Sequence, residues 1–400
     1  MRLSAGIIIL NMLGMLQGLA QSDSLQATAS FELRLHTGRL VKIHGEYPPN
    51  KISTYTEASV LWKCHGKKNW QSAHGYPSAG FSFIHAQFGN QDVLGQSIGA
   101  MPLLRFEKWF NRSFVSVRTG MGIAWFNKPY DAVGNPKNLV IGSRFANMTM
   151  ISAEYNYRIS SHWLISGGAS FMHCSGAHLT VPNIGANLPA LTAGLCYDPH
   201  GVKTKAHLKK IVVKQRNTFA GIQFISGFHE FPGTIRPADG PRYQVYGVAL
   251  HAGKSFRAHS KISLGFNAHY YTAYADYLHS QELLNSNSFR KKDPVNLVCY
   301  AGYEWNFGRV AFFLQGGINL YDPVLRALNK VWDLPKHGWL HEYTAQKIGY
   351  RIYAHSQFAA TPHNFQPFIH IAVKTNGGTA DFLELAVGAD FQRSDHRSKK

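Results

Sequence analysis

Asp381-Phe-Leu-Glu-Leu-Ala-Val-Gly-Ala-Asp-Phe391 repeats every second residue. Leu383, Leu385, Val387, Ala389 and Phe391 fall on one face, and Glu384, Ala386, Gly388 and Asp390 on the other. Successive side chains of a strand point to opposite faces, so this segment presents a greasy wall and a polar one. An apolar exterior, a polar interior and a terminal aromatic are the signature of a membrane-spanning barrel strand. The same alternation recurs upstream. Strands are expected at Phe31-Glu-Leu-Arg-Leu35, Thr54 to Trp62, Ala79 to Phe88, Ser113-Phe-Val-Ser-Val117, Ala146 to Tyr157, and from Trp163 onward.

Composition agrees with that reading. Charged residues make up only 16% of the 400, aromatics 13%, and glycines number 37, a balance ordinary for a membrane β-barrel and unusual for a water-soluble domain. The expected fold is all-β, a transmembrane antiparallel barrel of about fourteen strands, with even counts from twelve to sixteen open. It spans residues 21–392 in this reading. A soluble sandwich shares the alternation but not the glycine and tyrosine load. Closure is required because lipid tolerates no open sheet edge.

Residues 1–20 read as an export signal: Arg2, an apolar centre from Ile7 to Leu16, and the small residues Gly18-Leu-Ala20 before Gln21. Lys and Arg total 41 against 22 Asp and Glu, a formal charge of +19. For an exported chain, anionic lipid or lipopolysaccharide is a better partner for that surplus than nucleic acid. The four cysteines, Cys64, Cys174, Cys196 and Cys299, are too sparse for a disulfide framework and fit no zinc spacing, so they read as free thiols. No metal site or cofactor is expected. Arg393 to Lys400 reads as a disordered basic tail, and Lys203 through Arg216 as a solvated basic connector on the periplasmic side.

The chemistry lies in Trp163-Leu-Ile-Ser-Gly-Gly-Ala-Ser-Phe-Met-His173-Cys-Ser175. Parity places His173 and Ser175 on the same face as Trp163, Ile165, Ala169 and Phe171. Alternate residues on a strand lie ~6.5 Å apart, close enough for imidazole and hydroxyl to bend toward each other. A nucleophile and base on a greasy wall suit a greasy substrate. A long polar loop, Gly176 to Ala186, follows the pair, whereas a short turn precedes the strand. Long loops of such barrels face outside. The pair therefore belongs near the outer rim, shared with the loop Asn127–Lys137 and Arg144, whose cations suit sugar phosphates. His178 reads as an ordinary loop histidine, and the tail's second His396-Arg-Ser398 carries no comparable context.

His173-Cys-Ser175 followed by Pro182-Asn183-Ile-Gly185 and Asn187 resembles the outer-membrane lipid A 3-O-deacylases of the PagL type, and most of all their longer relatives, the acyloxyacyl hydrolases. Asn138-Leu-Val-Ile-Gly-Ser143 and Gly89-Asn-Gln-Asp-Val-Leu-Gly95 are similar to those longer relatives too. The resemblance covers residues 30–197 well and is looser beyond, at Tyr303 to Arg309 and Asn319 to Pro323. It implies a Ser/His esterase acting on lipid A: Ser175 as nucleophile, His173 as general base, Asn183 as oxyanion donor, and a backbone N–H between Gly176 and His178 as a second donor. The short enzymes carry a glutamate twelve residues after the serine, where this chain has Asn187. Parity keeps Asn187 outward beside His173, able to orient the imidazole but not to neutralise it. Glu154 and Asp198 have lumen parity and do not substitute. A second expectation, of a different class, is a non-catalytic outer-membrane barrel serving as a pore, a scaffold or a lipopolysaccharide binder.

Overall fold

The computed structural model describes residues 29–66, 68–201, 216–231, 240–256, 258–281, 289–331, 338–359 and 363–394. The signal reading at 1–20, nearly all of the basic connector, and residues 395–400 of the tail lie outside the described residues. Arg393 and Ser394 belong to the last strand rather than to a tail. No helix among the described residues is long and apolar enough to cross a membrane.

The first eight strands are β1 Ala29–Gly38, β2 Ser53–Lys63, β3 Ser78–Gln87, β4 Gln96–Phe110, β5 Ser113–Phe126, β6 Phe145–Arg158, β7 Trp163–Ser175 and β8 Ala186–Tyr197. They close as an antiparallel barrel, with Phe31 of β1 opposite Tyr197 of β8. The next eight are β9 Arg216–Glu230, β10 Arg242–Phe256, β11 Ser260–Tyr271, β12 Val295–Phe307, β13 Val310–Tyr321, β14 Thr344–Tyr353, β15 Phe365–Asn376 and β16 Thr379–Ser394. They close as a second barrel, with Phe224 of β9 opposite Val387 of β16. The antiparallel all-β fold and the sixteen strands among the described residues fall within the expected twelve to sixteen; the single closure expected over 21–392 does not hold, because the sheet closes twice, eight strands at a time. Alternation reports which way a side chain points, not which strand completes the ring.

Exposure follows parity. On β1, Phe31, Leu33 and Leu35 are exposed outside, while Glu32, Arg34 and His36 are buried inside. On β16, Val387 and Phe391 are exposed outside and Glu384 and Asp390 buried inside. An eight-stranded barrel has just enough interior for side chains to fill, and buried charges there must be paired. In the first barrel, Arg34 Nε donates to Glu154 Oε2 at 3.0 Å and Arg118 Nη2 to Glu57 Oε1 at 2.7 Å, while Arg105 pairs with Glu32. In the second, Lys347 Nζ lies 2.8 Å from Glu384, Lys261 Nζ 3.0 Å from Asp390, and Arg351 Nη1 3.1 Å from Glu304. One end of the second barrel also holds helices α2 Thr272–Ser280 and α3 Pro323–Val331 (α1, Asn69–Ala73, follows β2). Tyr274, Leu278, Val324, Leu325 and Leu328 from these helices pack with inward Val245, Ala249 and Phe382 as one buried apolar cluster.

Candidate active site

Strand β7 ends the wall on which the site is built. Trp163, Ile165 and Phe171 are exposed, and Leu164, Ser170, Met172 and Cys174 alternate with them inside. His173 and Ser175 share the outward parity, yet His173 is only partly exposed and Ser175 is buried. The cause is the β7–β8 loop, which folds back over them. That loop is held by two backbone bonds to the β5–β6 loop: Ile184 N–H donates to Leu139 O at 3.1 Å and Gly185 N–H to Val140 O at 3.0 Å. Asn138 shapes the accepting turn, its Oδ1 receiving the N–H groups of Val140 and Ile141. The Asn138–Ser143 segment thus supports the site from beneath. Gly89 and Gly95 bound a neighbouring loop turn, each with positive φ, and Asn90 Oδ1 caps it through Val93 N–H.

The register sets His173 directly opposite Asn187 on β8. His173 Nδ1 and Asn187 Oδ1 are 2.8 Å apart. An amide oxygen only accepts, so Nδ1 carries the proton and Nε2 is left with its lone pair for another partner. Directly opposite residues on one face sit with Cβ atoms about 4.5–5.5 Å apart, which is why a short Asn side chain suffices.

Asn183, buried in the β7–β8 loop, fixes Ser175 from the other side. Gly176 N–H donates to Asn183 Oδ1 at 2.8 Å, and Asn183 Nδ2 lies 3.1 Å from Ser175 Oγ. A backbone N–H can only donate, so the Gly176 contact dictates which end of the amide carries oxygen. The amide NH2 is thereby turned toward the hydroxyl, and Ser175 Oγ–H in turn donates to Asn183 Oδ1 at 3.3 Å. The same contact engages Gly176 N–H, the first of the expected stretch of backbone donors; Ala177 and His178 follow it in the loop. Both have positive φ, +52° and +62°. Left-handed backbone costs a residue with a Cβ roughly 1–2 kcal/mol, and such strain gathers at functional turns. Gly185 closes the loop at φ +82°; a Cβ there would meet His173 Cε1 at 3.3 Å and Cys174 O at 3.4 Å. His173 and Ser175 therefore both border the Gly185 backbone, Ser175 Cβ being 3.9 Å from the same point.

Glu154 faces the lumen, bound to Arg34 and Arg118. Asp198 is buried at the end opposite the site, with Lys63 Nζ 2.7 Å from its carboxylate. Neither approaches His173 in the register. The rim loops carry Lys128, Lys137 and Arg144, all exposed. His178, expected as an ordinary loop histidine, is buried, with Nδ1 2.7 Å from Ala380 O and its carbonyl accepting from Glu230 N–H at 3.2 Å. None of the four cysteines is in a disulfide, and no cluster of metal-ligating side chains occurs among the described residues. Sequence reading missed Asn147 and Thr149 of β6, which lie opposite Ser175 and His173. The signal was present: two polar residues interrupt a parity otherwise held by Phe145, Ile151, Ala153 and Tyr155.

Residues 54–195 match the family model described as lipid A 3-O-deacylase (PagL), and residues 217–333 the model described as acyloxyacyl hydrolase, C-terminal domain. The first match lies within β2 to β8, and the second begins in β9. No curated protein matches the chain. Among solved structures, the outer membrane enzyme PagL is 16% identical, covering 41% of this chain and 97% of its own, with a TM-score of 0.30. Acinetobacter baumannii OccAB4 is 11% identical, covering 92% of this chain and 99% of its own, with a TM-score of 0.20. The two matches fall one after the other along the sequence: residues 54–195 belong to the lipid A 3-O-deacylase (PagL) family, and residues 217–333 to the acyloxyacyl hydrolase C-terminal domain family.

Proposed function

We propose that the chain is an outer-membrane lipid A deacylase, working through Ser175 and His173 on the lipid-facing exterior of the first barrel. One observation carries this reading: His173 held by Asn187 at 2.8 Å and Ser175 held by Asn183 at 3.1 Å, side by side on an outward, apolar wall. The export signal, the barrel and the family support the outer membrane as the location. The long loops at the site end then face outside, and the pair lies at the depth of glycolipid ester bonds.

Ser175 Oγ attacks the carbonyl carbon of an ester-linked acyl chain, and His173 Nε2 takes its proton. The carbonyl oxygen becomes an oxyanion, into which Asn183 Nδ2–H donates; one such donor is typically worth about 10²–10³ in rate. The sugar oxygen leaves with the proton from His173, giving an acyl-serine and a free sugar hydroxyl. Water, deprotonated by the same imidazole, then releases the fatty acid and restores Ser175. Asn187 keeps Nε2 in its basic tautomer but supplies no charge to the imidazolium, so turnover is slower than with a carboxylate at this position. The chemistry needs no metal or cofactor. The buried ion pairs across both barrel interiors weigh against the pore alternative.

Purified barrel incubated with lipopolysaccharide, followed by mass spectrometry of lipid A, tests the reading. Loss of one acyl chain with wild type, and none with Ser175→Ala, is the expected result. Equal loss with both proteins, or no loss from several lipid A types, overturns it.

A further inference from the structure

Strand β6 carries two polar side chains outward, immediately beside the proposed site. Asn147 is the register partner of Ser175, and Thr149 that of His173. The outward positions that follow are Ile151, Ala153, Tyr155 and Tyr157, so the polarity is confined to the two places that flank the nucleophile and the base. On an apolar exterior such groups cost free energy unless they are bonded or used.

Their bonds are one-sided. Thr149 Oγ1–H donates to Asn147 Oδ1 at 2.8 Å, and Asn147 Nδ2–H donates to Gly122 O at 3.2 Å. The carbonyl of Gly122 only accepts, so that contact fixes which end of the amide carries the nitrogen, and the Thr149 hydroxyl, able to donate or accept, donates to the oxygen left at the other end. An amide nitrogen has two hydrogens. One is engaged by Gly122, and among the described residues the second has no partner. Asn147 is third in β6 and Ser175 last in β7, so that N–H stands at the rim, where a headgroup rather than an acyl chain would sit.

We propose that Asn147 is a substrate-binding residue that donates to a sugar oxygen of the glycolipid engaged at Ser175, with Thr149 as the positioning residue that locks its amide. The inference rests on the deacylase reading. It assigns Asn147 to the leaving sugar and not to the oxyanion, which separates its role from that of Asn183.

The test uses the full chain in detergent micelles with two readouts: lipid A deacylation by mass spectrometry, and the rate at which an alkyl fluorophosphonate labels Ser175. The probe carries no sugar, so it reports the nucleophile and the oxyanion donors alone. Asn147→Ala is expected to slow deacylation about tenfold, the worth of one hydrogen bond to substrate, with labelling unchanged. Thr149→Val should share that pattern, and Thr149→Ser, which keeps the hydroxyl, should recover wild-type turnover. Deacylation by Asn147→Ala at the wild-type rate overturns the inference. Equal loss of labelling and deacylation also overturns it, because the residue would then serve the oxyanion or merely the fold. Wild type that labels no serine and deacylates no lipid A removes the deacylase reading itself, an outcome visible before any variant is compared.

Discussion

In the proposed mechanism Asn187 takes the place in which the resemblance leads one to expect a glutamate, and its 2.8 Å contact with His173 Nδ1 is what an amide supplies there. Orientation and tautomer survive; the charge does not. In a serine protease, exchanging the acid of the triad for its amide cost about 10⁴ in turnover, partly through a wrong tautomer. Here the amide oxygen already faces Nδ1, so the tautomer share of that loss is absent. Asn187→Glu is expected to raise kcat about tenfold by pairing the imidazolium, while Asn187→Ala lowers it by a similar factor through a freely turning ring. Initial rates of acyl release by the three proteins check this, and a ranking with Ala at or above Asn would refute it. The placement of Asn187 was readable from parity with Leu191 and Leu195. The hydrogen bond depends on register, which parity does not supply.

At the scale of the element, each strand writes its own orientation into the sequence. β1 shows the rule in its simplest form: Leu33 is exposed outside and Arg34 is buried among Glu32, Glu154 and other charges. On a wall that meets lipid, a cation near the middle of the strand costs about 2–4 kcal/mol. Leu33→Arg is therefore expected to destabilise the barrel by about that amount in phospholipid vesicles, and Leu33→Ala by less. Urea unfolding followed by tryptophan fluorescence measures both. Equal, small effects would mean that the wall does not meet hydrocarbon. The loops were less legible. That Asn138 and Gly185 collaborate, through Gly185 N–H and Val140 O, to hold Asn183 over Ser175 follows from contacts between segments more than forty residues apart in sequence.

For the molecule as a whole, two eight-stranded closures replace one larger ring, and this changes the functional expectation. A barrel of about fourteen strands leaves room for water, whereas eight strands leave room only for side chains. Each lumen is crossed by paired charges, and α2 and α3 add a buried apolar cluster to the second barrel. Planar-bilayer recordings are expected to show no stable conductance steps at neutral pH. Reproducible steps would restore the channel alternative.

The sequence by itself determined the class of wall: period-two alternation, an apolar exterior, a polar interior, and a His-x-Ser pair on the outer face. These follow from the geometry of a single extended strand and need no partner to be read. Only the tertiary structure decided where the sheet closes, which side chains stand opposite His173 and Ser175, and which nitrogen each amide presents. Those are properties of register and of loops brought together across long sequence separations. A strand's alternation is unchanged by sliding two residues along its neighbour, so its sequence pattern alone cannot encode them.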